Sequence, residues 1–445
     1  MGMPITTESL FPSSSTSRSV SSRRISVPVI DPSLLRSDPE QIRLSLNRRG
    51  LTVDLDRLID MEARLRRTRQ EAEETRAAQK EAGKEIARLQ GAEKSAAIAE
   101  VAKLAERYKA LEDEADRLAQ TFEQDWAALP NLVDPDAADG KTDVDNVEVK
   151  RVGKQPHFDF EALDFTSLGS SLDIIDMERG AKVSGSRFGY LKGPAVILEL
   201  GLVRYAFDRL VAAGFTPMVP PVLVREQALY GTGFFPGDRE QVYSVPADDL
   251  FLVGTSEVSL AAYHTDEIFN ADQLPLRYAG FSTCFRREAG TYGKDTQGLF
   301  RVHQFDKVEM FVFCSPESSA AEHDRLLSIE ESIVGGLGIP YRVVNVAAGD
   351  LGSSAAKKYD IEAWFPSQDA FREITSCSNT TDYQARRLKI RVRGEDGNRI
   401  VHTLNGTAVA VGRLILAILE NFQQADGSVE MPEALVPYVG FGRIG

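Results

Sequence analysis

The feature that most constrains this chain is a sustained seven-residue repeat between Leu51 and Leu129. Leu58, Leu65, Ala72, Gln79 and Ile86 recur at steps of seven, and Met61, Thr68, Thr75, Ala82 and Leu89 follow three places later. After Gln90-Gly91 a second series runs Ala97, Val101, Leu104, Tyr108, Leu111, Ala115, Leu118, Phe122, with steps alternating between four and three. This spacing gathers one stripe of each helix into the a and d seam of a coiled coil. Pro130 cannot continue a helix. The pattern predicts two helices of about 35 residues joined by one short turn, an antiparallel hairpin about 50 Å long. Alanine and threonine at many seam positions allow close approach but bury little apolar area, so the arm is expected to be only modestly stable.

Charge divides the chain unevenly. The formal net charge is −14, which argues against a general nucleic-acid binder. Between Arg64 and Lys109, however, twelve Lys and Arg face eight Glu, a local net of +4, with Lys80, Lys84, Arg88 and Lys94 around the expected tip. On charge alone such a stretch reads first as a solvated helical surface, although it could also track a phosphate backbone. The remaining bounds are quickly set. The 445 residues suit two or three domains at about 100–200 residues each. No run approaches the roughly 18 apolar residues of a membrane span. Cys284, Cys314 and Cys377 are sparse and odd in number, and the five histidines include no HExxH pair, so neither a disulfide framework nor a zinc site is expected. Reduced thiols fit a cytoplasmic location. Residues 1–28 are serine-rich, carry Arg23-Arg24 and only one acid, Glu8, and are expected to be a disordered tail. Their bias resembles a transit peptide without an amphipathic stripe; a dispensable tail or an over-extended start near Val29 is the preferred reading.

Beyond an Asp- and Gly-rich linker (Asp134 to Asp145) the pattern is mixed. A helix is expected near Ala195–Ala213, an extended segment over Phe215–Val224, strands at Val308–Phe313 and Tyr341–Val346, and helices over Pro316–Gly336 and after Thr407. The fold class is therefore α+β: an N-terminal coiled-coil hairpin followed by an antiparallel β-sheet flanked by helices.

No Walker-type GxxxxGK[ST] loop and no GxGxxG after a strand occurs, so any nucleotide must be held by side chains. Two polar clusters could do so. One is Phe285-Arg286-Arg287-Glu288-Ala289-Gly290, a glycine-punctuated loop, then Phe300-Arg301-Val302-His303-Gln304-Phe305-Asp306-Lys307-Val308-Glu309, read as strand, loop, strand. The other is Phe371-Arg372-Glu373-Ile374-Thr375-Ser376-Cys377-Ser378-Asn379. Glu373 and Ser376 are separated by two residues, so carboxylate and hydroxyl could meet at one metal only if the strand bends or bulges. An ordinary polar sheet edge laced with salt bridges would present the same residues.

In order and number, these strings resemble the seryl-tRNA synthetase family of class II aminoacyl-tRNA synthetases. Phe285 to Gly290 with Arg301 to Phe305 is similar to motif 2, Gly214-Phe215 through Pro220 to motif 1, and His402 through Thr407 with Gly412-Arg413 and Glu420-Asn421 to motif 3. Thr255-Ser256-Glu257 matches the family's Thr-x-Glu loop, and Ser376 to Asn379 followed by Gln384-Ala385-Arg386-Arg387 is also characteristic. The resemblance runs from about Val29 to the C-terminus; the first 28 residues depart from the usual bacterial pattern.

It implies the following. Residues 29–135 form the tRNA-binding domain with its arm, and 136–445 the class II catalytic and dimerisation domain. ATP contacts fall to Arg286, Arg287, Glu288, Val302, Phe305, Glu373, Ile374, Thr375, Ser376 and Arg413. Arg286 holds the α-phosphate and the seryl carboxylate, Glu288 accepts from the adenine amino group, Phe305 stacks on the ring, and Arg413 holds the γ-phosphate. Arg287 stands where many relatives have a small residue, which leaves its role open. Thr255, Ser256, Glu257, Arg286, Glu309, Asn405 and Thr407 line the serine pocket, and Glu373 and Ser376 ligate Mg²⁺. Arg286, Arg413 and Glu373 carry the chemistry. The arm, through Lys80, Lys84, Arg88 and Lys94, grips the serine tRNA and by the same pattern the selenocysteine tRNA. Pro220 lies at a homodimer interface, and no membrane partner is implied. A duplicated synthetase conferring antibiotic resistance would carry the same motifs. A ligase loading a carrier protein would usually lack the arm, and a non-catalytic RNA-binding scaffold should have lost Arg286, Glu288, Glu373 or Arg413.

Overall fold

The computed structural model describes residues 30–289 and 299–445. The serine-rich tail expected over residues 1–28, and the loop after Ala289, lie outside them. Helix α1 (Pro39–Arg48) starts where Pro39 needs no intrahelical donor and the Asp38 side chain accepts the Gln41 N–H. Helices α2 (Leu55–Ile86) and α3 (Gly91–Ala127) form the expected antiparallel hairpin. Its turn is the short segment between Ile86 and Gly91, where Gly91 takes φ +61°.

The seam runs as the heptads require, with a gradient along it. Leu58, Leu65, Thr68, Ala72 and Thr75 on α2 and Ala115, Ala119, Phe122 and Trp126 on α3 are buried. Past Thr75, seam positions such as Gln79, Ile86, Val101 and Tyr108 are only half-buried, and no residue from 76 to 114 is fully enclosed. Cross-helix ion pairs, Arg57 to Asp125 at 2.9 Å and Arg107 to Glu71 at 2.6 Å, are exposed and contribute little each. The distal arm thus carries charge rather than core.

The larger body that follows is built on one eight-stranded sheet. Its strands are β1 (Val147–Val152), β2 (Thr216–Met218), β3 (Leu276–Phe285), β4 (Gln304–Cys314), β5 (Tyr341–Asn345), β6 (Lys357–Phe365), β7 (Ala370–Thr381) and β8 (His402–Ala410). The spatial order is β1-β5-β6-β7-β8-β4-β3-β2, antiparallel except for the β2–β3 edge pair. Helices α4 (Pro194–Ala212), α6 (Ser319–Gly336) and α8 (Val411–Asn421) cover one face. Their Leu198, Leu202, Leu326, Ile333, Leu414 and Ile418 pack into the main core with strand residues such as Val308, Met310 and Ile361. Helices α5 (Glu226–Thr232) and α7 (Tyr383–Leu388) sit against each other near the root of the arm.

Two sequence expectations are corrected. The extended segment over Phe215–Val224 is interrupted: β2 ends at Met218, and Leu223–Val224 joins a separate small sheet. Pro220-Pro221 lies at the break, because proline offers no ladder N–H. The helix expected after Thr407 begins only at Val411, since Thr407 to Ala410 complete β8 and pair with β4.

Candidate active site

The sheet's other face forms the floor of a cavity of about 380 Å³. Cations and anions alternate around it because two strands carry the same period-2 device. Lys307 and Glu309 on β4 form an ion pair at 2.5 Å, and Lys358 and Asp360 on β6 form one at 3.2 Å. Residues two apart on a strand share a face, so each pair keeps both signs of charge on one side of the sheet.

Two bulges shape the floor. In the β6–β7 ladder Ile361 pairs with Thr375 but Glu362 pairs with Glu373, so Ile374 is the extra residue. The bulge shifts the alternation, and both Glu373 and Ser376 line the cavity. The bend that a shared metal requires is therefore present. The second bulge, at Ala408 in the β4–β8 ladder, leaves Glu309 opposite Thr407, whose hydroxyl lies 3.4 Å from Glu309 Oε2.

At the mouth of the β3–β4 hairpin His303 ties the two strand ends. Its carbonyl accepts the Arg286 N–H at 3.0 Å, and its Nδ1 lies 2.9 Å from the Arg286 carbonyl. Arg286 Nε donates to the Gly254 carbonyl at 3.1 Å, and the guanidinium lies 5.3 Å from the Phe305 ring. Among the described residues no carboxylate pairs with Arg286, which leaves a fixed cation facing the cavity. Glu288 adopts φ +47°, a conformation that costs a non-glycine residue about 1–2 kcal/mol. Its carboxylate lies 3.5 Å from Arg301. Arg413 donates to the Glu373 carbonyl at 3.0 Å, approaches its carboxylate at 3.3 Å, and stacks on Phe300 with its carbon 4.7 Å from the ring centre.

The field in this basin decides which carboxyls stay charged. Burial would raise Glu373, but Arg413, Lys358, Arg286 and Arg301 outweigh it and hold it below the usual carboxylate range. Its side chain is still 43% exposed to the cavity, so an ionised oxygen donor is available to a cation. Glu257 behaves oppositely. Burial, reinforced by Glu309, pushes it up to about 7, although Gln384, Lys307 and Arg286 oppose the rise. Its Oε1 accepts from Gln384 Nε2 at 2.7 Å and Asn405 Nδ2 at 2.9 Å, so it is fixed in place.

Thr255, Glu257, Arg286, Glu288, Val302, Phe305, Glu309, Glu373, Ile374, Thr375, Ser376, Asn405, Thr407 and Arg413 all line this one cavity. Ser256 and Arg287 do not. The Ser256 hydroxyl donates to the Gly280 carbonyl behind the wall, and the Arg287 N–H is used by the Gln241 carbonyl. Pro220 is buried against its own chain, whereas neighbouring Val219 is 83% exposed. The four basic tip residues are solvent-facing; Lys84 pairs with Glu81 on the same helix, and Arg88, in the turn, pairs with Glu85. Sequence reasoning gave no role to Lys307 or Lys358, which also line the cavity. The Lys-x-Asp and Lys-x-Glu alternation was the available signal. Among the described residues no three His, Cys, Asp or Glu converge as a metal cluster, and the three cysteines are buried and unpaired.

Comparison with known proteins bears on this geometry. The seryl-tRNA synthetase N-terminal domain family matches residues 29–133, and the class II tRNA synthetase core domain family (G, H, P, S and T) matches residues 242–422. The serine–tRNA ligase of Thermobifida fusca is 52% identical over 414 residues, covering 93% of this chain and 98% of that one. The chain belongs to the seryl-tRNA synthetase family. The serine–tRNA ligase of Nocardia farcinica is 51% identical with the same coverage. The crystal structure of seryl-tRNA synthetase from Pyrococcus horikoshii complexed with ATP superposes with a TM-score of 0.89 at 40% identity, covering 93% of this chain and 99% of that one. The chain is thus an aminoacyl-tRNA synthetase, with the α+β architecture and coiled-coil N-terminal domain of that family.

Proposed function

We propose that this chain activates L-serine with ATP to seryl-adenylate and pyrophosphate, then transfers the seryl group to the serine tRNA, using the cavity above the β4–β8 floor. The observation that carries this reading is the Arg286 guanidinium, which among the described residues pairs with no carboxylate, facing a basin that also holds Arg301, Lys307, Lys358 and Arg413. Serine's carboxylate must attack the α-phosphate of ATP, and both partners are anions. Fixed cations offset their repulsion and the charge of the transition state, and need no reorganisation when it forms. Holding both reactants in line removes an entropic barrier of roughly 7–11 kcal/mol. No protein nucleophile is required.

The roles follow from position. Arg286 bridges the two anions, Arg413 takes the distal phosphate, Phe305 offers a ring for the adenine and Glu288 accepts from its amino group. Glu257 and Glu309 receive the ammonium of serine, and the Thr407 hydroxyl, with Asn405 beside it, receives the serine hydroxyl. A pocket built around a hydroxyl rejects analogues lacking it by up to about 10⁴–10⁵. Glu373 and Ser376 fit Mg²⁺: the Ile374 bulge gives them one face, and the surrounding cations keep Glu373 ionised. Bound there, Mg²⁺ supplies divalent charge against the phosphate oxygens.

Residues 29–135 serve tRNA binding, with Lys80, Lys84, Arg88 and Lys94 meeting its backbone, and residues 136–445 serve catalysis. The working unit is a homodimer. In support, Val196, Ile197, Leu200 and Val211 of α4 and Val219 beyond it are exposed apolar residues. Among the described residues no helix is long and apolar enough to cross a membrane, and we place the enzyme in the cytoplasm. The test is serine attachment to purified serine tRNA with ATP and Mg²⁺. Wild type charges and Arg286→Ala, still folded, does not; equal charging by both overturns the assignment.

A further inference from the structure

Helix α7 carries Gln384-Ala385-Arg386-Arg387, a string to which the chemistry above gives no task. Arg387 is 5% exposed, and among the described residues no carboxylate pairs with it. A buried guanidinium without a counter-ion is costly unless its donors are used. Here they go to neutral oxygens. Nη1 donates to the Tyr230 carbonyl at 2.7 Å and the Phe235 carbonyl at 3.2 Å, and Nη2 to the Ala127 carbonyl at 2.8 Å and the Tyr383 hydroxyl at 2.9 Å. The rings of Tyr230 and Tyr383 lie 4.8 and 4.5 Å from the guanidinium carbon. Among the described residues, Nε alone of its nitrogens finds no partner.

These acceptors belong to two different parts of the machine. Ala127 ends α3, the returning helix of the arm, where unpaired carbonyls and the helix dipole favour a cation. Tyr383 adds a second tie to the root, its hydroxyl donating to the Leu129 carbonyl at 3.2 Å. Tyr230 and Phe235 flank the end of α5, next to Phe234 of the cavity wall. Gln384, one helical step away on α7, donates to Glu257 at 2.7 Å and to the Thr232 carbonyl at 3.3 Å. Its amide oxygen accepts from Thr403 at 3.0 Å. One short helix therefore holds the serine-pocket carboxylate by one residue and the arm root by another.

We propose that Arg387 is a positioning residue that sets both the Glu257 side of the serine pocket and the root of the tRNA-binding arm. The proposal rests on the functional reading above. Lysine is a poor substitute, since a point charge with three donors cannot span this planar set or stack between two rings. In full-length Arg387→Lys, KM for serine in pyrophosphate exchange without tRNA and KM for tRNA in charging both rise about tenfold, comparable to losing one charge-assisted hydrogen bond. KM for ATP stays within about twofold of wild type on the same scale. A fall in kcat alone, a rise in only one of the two constants, or wild-type values for both overturns the proposal. If Arg387→Lys does not fold, Tyr383→Phe, which removes only the hydroxyl between Arg387 and Leu129, must raise the same two constants; no change in either rejects it. The double variant Lys80→Glu/Lys84→Glu separates this outcome from failure of the arm's assigned task, because it raises KM for tRNA alone. If it leaves that constant unchanged, the tip reading falls, and Arg387 is still judged by the two constants above.

Discussion

At the scale of single residues, charge placement does most of the work. Arg286 has its Nε fixed by a backbone carbonyl and, among the described residues, no carboxylate to neutralise it, so its truncation should remove transition-state stabilisation rather than fold. Arg286→Ala is expected to lower kcat/KM for serine activation by about 10²–10³ or more, with an unchanged melting temperature. Single-turnover adenylate formation beside a thermal melt checks both halves. Glu257 makes a pH prediction. Its folded pKa of about 7 lies above its ordinary value of 4.5. Between those values the unfolded chain gives up this proton and the folded chain keeps it, so stability falls as pH rises through the window. The stability of wild type relative to Glu257→Gln should decline from pH 4.5 to 7, by up to about 3 kcal/mol, and then level off. Urea unfolding of both proteins across that range reads the slope; a rising difference contradicts it.

Much of this scale was legible beforehand. Arg286, Glu288, Glu373 and Arg413 sit in strings whose residue types announce charge against charge. What one-dimensional reading could not supply is direction. Ser256 and Arg287 lie inside the same strings but do not line the cavity, and the Ser256 hydroxyl is used by the Gly280 carbonyl. Lys358 lies far from any of those strings and reaches the site only because β6 lies beside β7 in the sheet.

At the scale of elements, periodicity foretold the arm and the main strands, while the bulges were visible only as a requirement. A metal shared by Glu373 and Ser376 would need both on one face, and the extra residue at Ile374 shifts the alternation in that sense. Gly406 shows how tightly the floor is packed from beneath. A Cβ there would lie 2.9 Å from Glu330 Oε1 and 3.1 Å from both Cys377 Cβ and Met310 Cε. Gly406→Ala should therefore destabilise the protein by about 1–3 kcal/mol, seen as a lower urea midpoint, and displace Asn405 and Thr407 on either side, seen as a higher KM for serine. The arm makes the opposite kind of prediction. Reversing Lys80 and Lys84 should flatten the salt dependence of tRNA binding by roughly one logarithmic unit of slope for each lost phosphate contact. Serine activation without tRNA should not change.

At the scale of the whole molecule, two buried guanidiniums join arm and body. Arg387 does so through α7. Arg49, beyond α1, donates to the carbonyls of Asn131, Leu351, Gly352 and Ala355, and Gly352 and Ala355 line the cavity. The arm is thus anchored beside the site, while its distal half is free of core. The exposed apolar face of α4 leads to a further prediction. Sedimentation should give twice the 49.0 kDa chain mass for wild type, and Leu200→Glu should shift it to the single-chain mass. A wild-type monomer would refute the dimer.

On the proposed function, the charged basin brings serine, and no other amino acid, to the α-phosphate of ATP. Pyrophosphate exchange measured with serine, threonine, alanine, cysteine and glycine tests it most directly. Exchange is expected to be strong with serine and lower by orders of magnitude with the others. Equal exchange with alanine, or none with serine, would contradict it.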